Sequence, residues 1–482
     1  MAASKYEAVI GLEVHAQLLT RTKMFCGCRT DFGLPPNSQV CPVCLGLPGA
    51  LPVVNREAVR LAATAALALG ANVADESAFA RKSYFYPDLP KGYQISQYEK
   101  PFATGGHVIL RDGGEEVSVA VERINLEEDA GKSIHGGPCR GTAVDFNRCG
   151  VPLVEIVSAA EIPTPRRAHL YLTRLKQVLE YTGVSSGDME LGALRCDANV
   201  SLRPAGCGRL GTKTEIKNLN SFRSVERGLD YEIRRQTGVL EAGGRVRHET
   251  LLWDARRQVS MPMRSKEEVD DYRYFPEPDL VRSTIAPDWL DSLRQLLPEL
   301  PHDRERRLIV ESGLPEYDAG VLVSSRGLAG YYEETARLGG SPKAASNWIM
   351  TEVLKVLRDS KIAIEDFAVS PADLAVLLKM VAGGRISGKI AKQVFQEMAA
   401  TGRSAAAIVE REGLVQVSDS EDLTQVVREV IAANPWSVED YKRGRERAFR
   451  FLVGKVMERT AGRANPQAAS DLLRREMEKR GD

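Results

Sequence analysis

The chain has no long hydrophobic segment and no excess of either charge. No apolar run reaches the roughly 18–20 residues that a membrane-spanning helix needs. The 65 lysines and arginines equal the 65 aspartates and glutamates. This balance excludes a uniformly basic nucleic-acid coat, although a local basic patch is compatible with it. Strand-like sequence begins almost at the first residue, so we expect no signal or transit peptide and a cytoplasmic location.

Four of the eight cysteines lie in one short segment, as Cys26-x-Cys28 and, twelve residues later, Cys41-Pro-Val-Cys44. Two close pairs joined by a short loop can supply four thiolates to one tetrahedral Zn²⁺. Disulfides are disfavoured because a chain this long can bury a core without them. The alternative is four unrelated thiols. With no general base nearby, we expect a structural zinc site in residues 26–44.

Alternating segments dominate up to about residue 285, and helical periodicity dominates after it. The pattern predicts strands over residues 7–18, 117–126, 143–146, 153–157, 195–202, 212–219 and 248–253. Irregular spacing of these strands favours an α+β domain with a largely antiparallel sheet. About 100–200 residues per domain suggests three domains. We predict a catalytic domain over 1–290 and two all-α domains over 291–412 and 413–482.

The last predicted domain has an uneven charge distribution. Residues 415–440 contain six acidic residues and one arginine, whereas residues 441–482 contain twelve basic and six acidic residues. The basic run at residues 442–450 could bind phosphates. A solvated helix face would show the same pattern.

Three predicted strands carry charged or amide side chains on one face. Alternation with period two places them together. They are Glu13, His15 and Gln17; Arg195, Asp197 and Asn199; and Lys213, Glu215 and Lys217. An exposed sheet face would account for one such strand. Three of them indicate a sheet that lines an active cleft.

Glu155 stands within an apolar strand, where a lone charge is costly unless it is paired or binds a cation. A turn at residues 125–133 adds further acids, and the sequence does not choose between Glu127 and Glu128. Together with Glu13 and His15, these residues suit Mg²⁺. Three nearby basic side chains would neutralise the charge on a transferring phosphoryl group. They are Arg195, Lys213 and Lys217. The residues thus predict phosphoryl transfer without naming a substrate.

Several dense motifs resemble one known family. They lie at residues 10–15 (IGLEVH), 46–55, 81–96, 145–156 (DFNRCGVPLVEI), 194–199, 217–222 and 271–279. The resemblance is to the B subunit of the aspartyl/glutamyl-tRNA(Asn/Gln) amidotransferase. A related archaeal type carries a large inserted domain that this chain lacks, so the chain is similar to the bacterial and organellar type.

The resemblance implies an ATP-dependent ligase. The side-chain carboxylate of Glu-tRNA(Gln) or Asp-tRNA(Asn) is phosphorylated, and ammonia then displaces the phosphate. The ammonia comes from a partner subunit that is a glutaminase (amidase). This chain, the glutaminase and a third, small subunit form a heterotrimer. The C-terminal helical domains are implied to bind the tRNA. A competing hypothesis is a non-catalytic, zinc-bearing scaffold that only binds tRNA.

The resemblance also assigns residues to roles. His15, Glu128 and Glu155 match the family's Mg²⁺ site, with Glu13 beside them. Strand alternation, rather than the resemblance, is the main support for placing Asp197, Asn199, Lys213 and Lys217 in the pocket. The cysteine site occurs in some relatives only, which favours a structural zinc. The expected cofactors are ATP, Mg²⁺ and Zn²⁺.

Overall fold

A computed structural model describes residues 5–135, 141–265, 272–339, 341–414, 420–460, 464 and 466–479. The chain divides into two compact units, Met1–Arg304 and Glu305–Asp482, each with its own hydrophobic packing. No helix in the described part of the chain combines the length and the apolar character that crossing a membrane requires.

The first unit holds the strands found among the described residues. They are β1 (Tyr6–Gln17), β2 (Asn72–Val73), β3 (Glu76–Ser77), β4 (Ala80–Ser83), β5 (Tyr93–Ser96), β6 (Ala103–Thr104), β7 (His107–Asp112), β8 (Glu115–Glu128), β9 (Lys132–His135), β10 (Thr142–Asp145), β11 (Pro152–Ser158), β12 (Leu194–Pro204), β13 (Thr214–Lys217), β14 (Glu249–Asp254), β15 (Val259–Ser265), β16 (Phe275–Pro276) and β17 (Ser283–Thr284).

Ten of these strands form one sheet in the order β15-β14-β13-β12-β1-β11-β8-β6-β2, with β7 paired to β8. β1 lies at the centre and pairs antiparallel with both β11 and β12. Among the described strands of this sheet, the pair β13–β14 is the parallel one. The prediction of an α+β fold with a largely antiparallel sheet is therefore confirmed.

Helices cover the apolar face of this sheet. They are α1 (Arg56–Ala68), α2 (Pro165–Tyr181), α3 (Phe222–Glu241) and α4 (Pro287–Gln295). The first three begin at side-chain caps, since Asn55, Thr164 and Ser221 accept hydrogen bonds from backbone N–H groups of the first turn. Leu12 and Val14 of β1 belong to the core that these helices share, so the polar residues of β1 face the other way.

The predicted strand over residues 212–219 is too long. β13 begins only at Thr214, because the chain at Gly211 runs so close to β12 that an added Cβ would collide with the Leu202 carbonyl oxygen. Lys213 consequently precedes the strand and is exposed.

The second unit is built from helices, as predicted. They are α5 (Pro301–Ser312, which begins just before the boundary), α6 (Glu316–Leu322), α7 (Arg326–Gly339), α8 (Pro342–Trp348), α9 (Leu354–Ser360), α10 (Pro371–Ala382), α11 (Gly388–Thr401), α12 (Ala405–Arg411), α13 (Ser420–Ala433), α14 (Pro435–Lys442), α15 (Glu446–Arg459) and α16 (Pro466–Glu478). A π-turn, Ile349–Val353, joins α8 to α9, and a 3₁₀ turn spans Ile364–Asp366.

Two hydrophobic clusters stabilise these helices. One runs from Leu308 to Val409 and the other from Leu423 to Met477. The domain boundaries near residues 290 and 412 stay predictions, and part of the break predicted at residues 413–420 falls outside the described residues.

Candidate active site and cysteine cluster

The four cysteines of residues 26–44 converge in the folded chain. Their Sγ atoms all lie within 4.8 Å of one another, and those of Cys41 and Cys44 are 3.9 Å apart. Tetrahedral Zn²⁺ with Zn–S bonds of about 2.3 Å places its sulfurs about 3.8 Å apart. The four thiols therefore fit a zinc ion.

A buried lysine lies against this cluster. Lys23 Nζ donates to the Gln39 carbonyl oxygen at 2.7 Å and approaches Cys44 Sγ at 3.6 Å. The pKa of Cys44 falls to about 4, chiefly because Cys26 donates a hydrogen bond to it, with the charge of Lys23 also contributing. The cluster therefore favours at least one thiolate before any metal binds.

On the main sheet, strand register brings four residues together. His15 of β1 lies opposite Glu155 of β11, and Glu13 lies opposite Asp197 of β12. His15 Nε2 is 3.4 Å from Glu127 Oε2, 3.7 Å from Glu155 Oε1 and 3.8 Å from Glu13 Oε1. We call His15 and these three glutamates the acidic cluster.

The charges of the acidic cluster shift its members' pKa values. Burial opposes a charge on His15, but the hydrogen bond and charge of Glu127 outweigh it and raise the His15 pKa to about 9. Burial, reinforced by the nearby charge of Glu127, raises the pKa of Glu155 to about 7. His15 reverses the effect of burial on Glu127 and lowers its pKa to about 2. Without a metal ion, protonated His15 thus balances part of the negative charge.

The acidic cluster also fits a divalent cation. Glu13, His15 and Glu155 each offer a ligand atom within 4.8 Å of the others. Asn125 Nδ2 donates to Glu155 Oε2 at 2.7 Å, which leaves Asn125 Oδ1 buried without a hydrogen-bond partner. Carboxylate and carbonyl oxygens are hard ligands that suit Mg²⁺ and its bound waters. Imidazole is a less usual magnesium ligand.

The structure separates the two acids between which the sequence could not choose. Glu127 shares the face of Asn125 in β8, and Ser96 Oγ and Gln94 Nε2 donate to it. Glu128 projects to the opposite side because consecutive residues of a strand alternate.

Glu128 has partners of its own on that opposite side. It forms a buried ion pair with Lys91 and accepts a hydrogen bond from Ile95 N at 3.0 Å. It lines a small cavity of about 110 Å³ together with Cys26 and Cys44. The structure therefore does not bring Glu128 into the acidic cluster, and its assignment to the magnesium site stays a prediction.

Basic side chains lie beside the acidic cluster and are held by acids. Arg195, opposite His15, donates to Asp129 Oδ1 at 2.9 Å. Lys217 Nζ donates to Asp197 Oδ2 at 2.7 Å and lies 3.2 Å from Glu215 Oε1. Asp129 and Asp197 thus orient the two cations.

Asn199 and Lys213 lie further from the acidic cluster. Asn199 pairs with Gly11, one same-face step beyond the Glu13–Asp197 pair. Lys213 is exposed ahead of β13. Their predicted roles in the pocket therefore rest on the sequence pattern alone.

A cavity of about 980 Å³ opens next to Arg195 and Asp197. Its lining also includes the basic side chains of Lys132 and Arg148 and several polar and acidic ones, among them Asn220, Asp145 and Glu190. Its volume lies at the upper end of the roughly 300–1,000 Å³ found for small-molecule sites. The cavity is therefore large enough for a nucleotide.

Sequence reasoning missed several residues that hold the site together. Asp129 was visible as the third acid of the turn at residues 125–133, but its hydrogen bonds to Gln17 and Arg195 depend on the sheet register. Gln94 and Ser96 lie in a strand that the polar pattern did not predict. Their presence in the motif over residues 81–96 was the one available signal.

Comparison with known proteins agrees with this arrangement. Residues 8–291, which include nearly the whole main sheet and the acidic cluster, match the family described as the GatB/GatE catalytic domain. Residues 330–477 match the family described as the GatB domain. The chain is thus a catalytic component of a ligase-type amidotransferase.

Full-length relatives narrow this class to one family. A protein of Carboxydothermus hydrogenoformans, named as the B subunit of an aspartyl/glutamyl-tRNA(Asn/Gln) amidotransferase, is 53% identical over 98% of this chain and 99% of its own length. Proteins of the same name from Thermoanaerobacter sp. and Moorella thermoacetica are each 52% identical over 98% of this chain, and over 100% and 99% of their own lengths. The chain belongs to this family of amidotransferase B subunits, and the resemblance found in the sequence is confirmed.

Proposed function

We propose that this chain activates and amidates an amino acid attached to tRNA. It would use ATP to phosphorylate the side-chain carboxylate of Glu-tRNA(Gln) or Asp-tRNA(Asn), after which ammonia displaces the phosphate and forms the amide. The observation that carries the proposal is the acidic cluster beside a nucleotide-sized cavity, inside a domain whose relatives are named as amidotransferase subunits.

The chemistry explains the need for ATP. A carboxylate is a poor electrophile because its charge repels a nucleophile and oxide is a poor leaving group. Transfer of the terminal phosphoryl group converts that oxygen into part of a phosphate, which leaves readily. Bound Mg²⁺ would supply charge neutralisation for the phosphates. Glu13, His15 and Glu155 would hold it, with Glu127 within reach of the same site.

The basic residues beside the acidic cluster fit the remaining tasks. Arg195 lines the cavity, and its bond to Asp129 fixes its guanidinium in place. Lys217 is similarly fixed by Asp197. Preorganised cations of this kind stabilise the charge that a transferring phosphoryl group develops. Asn199 and Lys213 would contact parts of the substrate that lie further along the sheet.

The amide nitrogen has to come from elsewhere. The relatives are named as one subunit of an amidotransferase, which implies partner subunits. We assign the ammonia supply to a partner glutaminase (amidase) and expect a third, small partner in the same heterotrimer. The cysteine cluster would hold a structural Zn²⁺ that fixes the loop over residues 26–44, because zinc with four thiolates has no open position for catalysis.

We assign tRNA binding partly to the basic residues after Tyr441. Arg447 and Arg450 are exposed at the start of α15. If they bind phosphates, replacing both with glutamine lowers the slope of log Kd against log salt concentration by about 1 for each phosphate that is no longer bound. The exposed Arg337→Gln, whose side chain pairs with Glu334, serves as the control. An unchanged slope in the double variant would indicate a solvated helix face instead.

The proposed function is tested by measuring which kind of tRNA stimulates ATP hydrolysis. The purified complex with its partner subunits should hydrolyse ATP with misacylated tRNA and not with deacylated or correctly charged tRNA. Equal hydrolysis with all three would refute the proposal. Tight tRNA binding with no hydrolysis under any condition would favour the scaffold hypothesis.

A further inference from the structure

Five tyrosines form a continuous row on the first unit. Ring centroids of Tyr86 and Tyr84 are 6.3 Å apart, those of Tyr84 and Tyr272 6.0 Å, and those of Tyr272 and Tyr274 6.1 Å. The row ends with Tyr274 stacked on Tyr98 at 4.2 Å and an interplanar angle of 10°. We call these five residues the tyrosine row.

Two sequence motifs that the acidic cluster leaves largely unused carry four of these tyrosines, and Tyr98 comes two residues after the end of the first motif. The motif over residues 81–96 supplies β4 and β5, and the motif over residues 271–279 supplies β16, which pairs with β4. Arg81 locks the two together through a bidentate ion pair with buried Glu277, at 2.8 Å for both bonds. The five tyrosines lie in the connections next to these strands, and the ion pair holds β4 against the residue that follows β16.

The ends of the row lie in solvent. Tyr86 and Tyr98 are 55% and 61% exposed, and neighbouring Phe85 is 89% exposed. Phe85 and Tyr86 also border an open depression of about 460 Å³. Exposed aromatic side chains grouped in this way mark an interaction site rather than an ordinary surface.

The row runs up to the acidic cluster. Lys82 and Gln94 are cross-strand partners in β4 and β5, so their side chains share one face. Gln94 Nε2 donates to Glu127 Oε2 at 3.3 Å, while Lys82 Nζ lies 4.9 Å from the ring centroid of Tyr272. One end of this face therefore contacts the acidic cluster and the other contacts the tyrosine row.

We propose that the tyrosine row stacks against the unpaired bases at the 3′ end of the tRNA substrate. The inference rests on the proposed function and names where that substrate's acceptor end binds. Single-stranded nucleotides are commonly held by aromatic side chains on which their bases stack. Because the amino acid is esterified to the terminal ribose, the last bases must lie close to the acidic cluster.

The adenine of ATP is a less suitable occupant. One base covers one or two rings, whereas the row presents five in succession. The larger cavity beside Arg195 is also available for the nucleotide. The row thus matches a short run of bases.

The test compares two tRNAs on the complex with its partner subunits, one with a complete 3′ end and one lacking its last three nucleotides. Tyr98→Ala should weaken binding of the complete tRNA by about fivefold or more, since stacking contributes about 1–3 kcal/mol per base. Tyr98→Phe keeps the ring and should bind as the unchanged protein does. The shortened tRNA should bind all three proteins equally.

Tyr86→Ala, at the exposed other end of the row, provides a second variant and should show the same selective loss. The KM for ATP should be unchanged in both alanine variants. Equal loss for both tRNAs, no loss for either, or a rise in the KM for ATP alone would overturn the proposal. In any of these cases the proposed function stands if the unchanged complex still hydrolyses ATP only with misacylated tRNA.

Discussion

The cysteine cluster and the acidic cluster lie in the same unit but are assembled differently. The cysteine cluster takes its four thiols from the single segment of residues 26–44. The acidic cluster takes its side chains from β1, β8 and β11. His15 of β1 comes more than 100 residues before Glu127 and Glu155, so these side chains meet only in the finished sheet. A metal in the first would fasten a loop, whereas a metal in the second would depend on the fold already being in place.

The charged and polar groups around the two clusters also differ. The cysteine cluster faces Lys23, a buried cation whose hydrogen bonds end on backbone oxygens and on Cys44. The acidic cluster has Arg195 and Lys217 nearby, a buried carbonyl oxygen on Asn125 and an adjoining cavity. Open space with oriented cations is typical of catalysis, and a closed set of thiols is typical of structure.

The largest effect should come from the acidic cluster. Glu155→Gln removes a charged ligand without changing its shape, so amide formation should fall by at least about 100-fold, as when other electrostatic groups are removed from active sites. Binding of tRNA and the zinc content should be unchanged. Glu122→Gln, an exposed glutamate of the same sheet, should keep full activity. Amide formation that survived Glu155→Gln would contradict the assignment of this cluster.

A smaller effect should distinguish the variants of Glu127 and Glu128 by their Mg²⁺ dependence. Because Glu127 contacts His15 and Glu128 does not, Glu127→Gln should raise the Mg²⁺ concentration for half-maximal amide formation by about tenfold. Glu128→Gln should leave that concentration within about twofold of the original, whatever it does to the rate. The reverse result would show that Glu128 moves into the site when substrates bind.

The smallest effect on amide formation should come from the cysteine cluster. Cys41→Ser should remove nearly all bound zinc and lower the melting temperature by roughly 5 °C, because the loop loses its cross-link. The rate at 25 °C should change by less than about twofold. Cys207 lies outside the cluster, so the control variant Cys207→Ser should retain its zinc. A loss of activity as deep as that of Glu155→Gln would mean that the two clusters are not functionally distinct.

Much of this contrast could be predicted from the sequence. Close cysteine spacing needs no knowledge of the fold, and strand alternation alone grouped Glu13, His15 and Asp197. The ten-strand order could not be predicted, because it depends on which distant segments pair. For that reason the side of the sheet on which Glu127 and Glu128 each lie, and the hydrogen bond between Asp129 and Arg195, emerged only from the register of the strands.

The predicted strand over residues 212–219 was too long for a similar reason, because its true bounds depend on contacts with a distant segment. Lys213 was placed on a strand because its sequence continues the alternation toward Lys217. Because the chain at Gly211 passes close to β12, the strand begins only at Thr214, and no local sequence pattern indicates such a contact. The tyrosine row likewise depends on the pairing of β4 with β16, which lie nearly 200 residues apart.

The central claim is that the substrate's side-chain carboxylate is phosphorylated before it is amidated. Its most direct test uses misacylated tRNA whose glutamate carries ¹⁸O in the side-chain carboxylate. Phosphorylation followed by displacement predicts one ¹⁸O in the inorganic phosphate for each amide formed. With the Glu155→Gln complex the labelled phosphate should fall in step with the amide, by at least about 100-fold. Amide formation that left the released phosphate free of ¹⁸O would contradict the account.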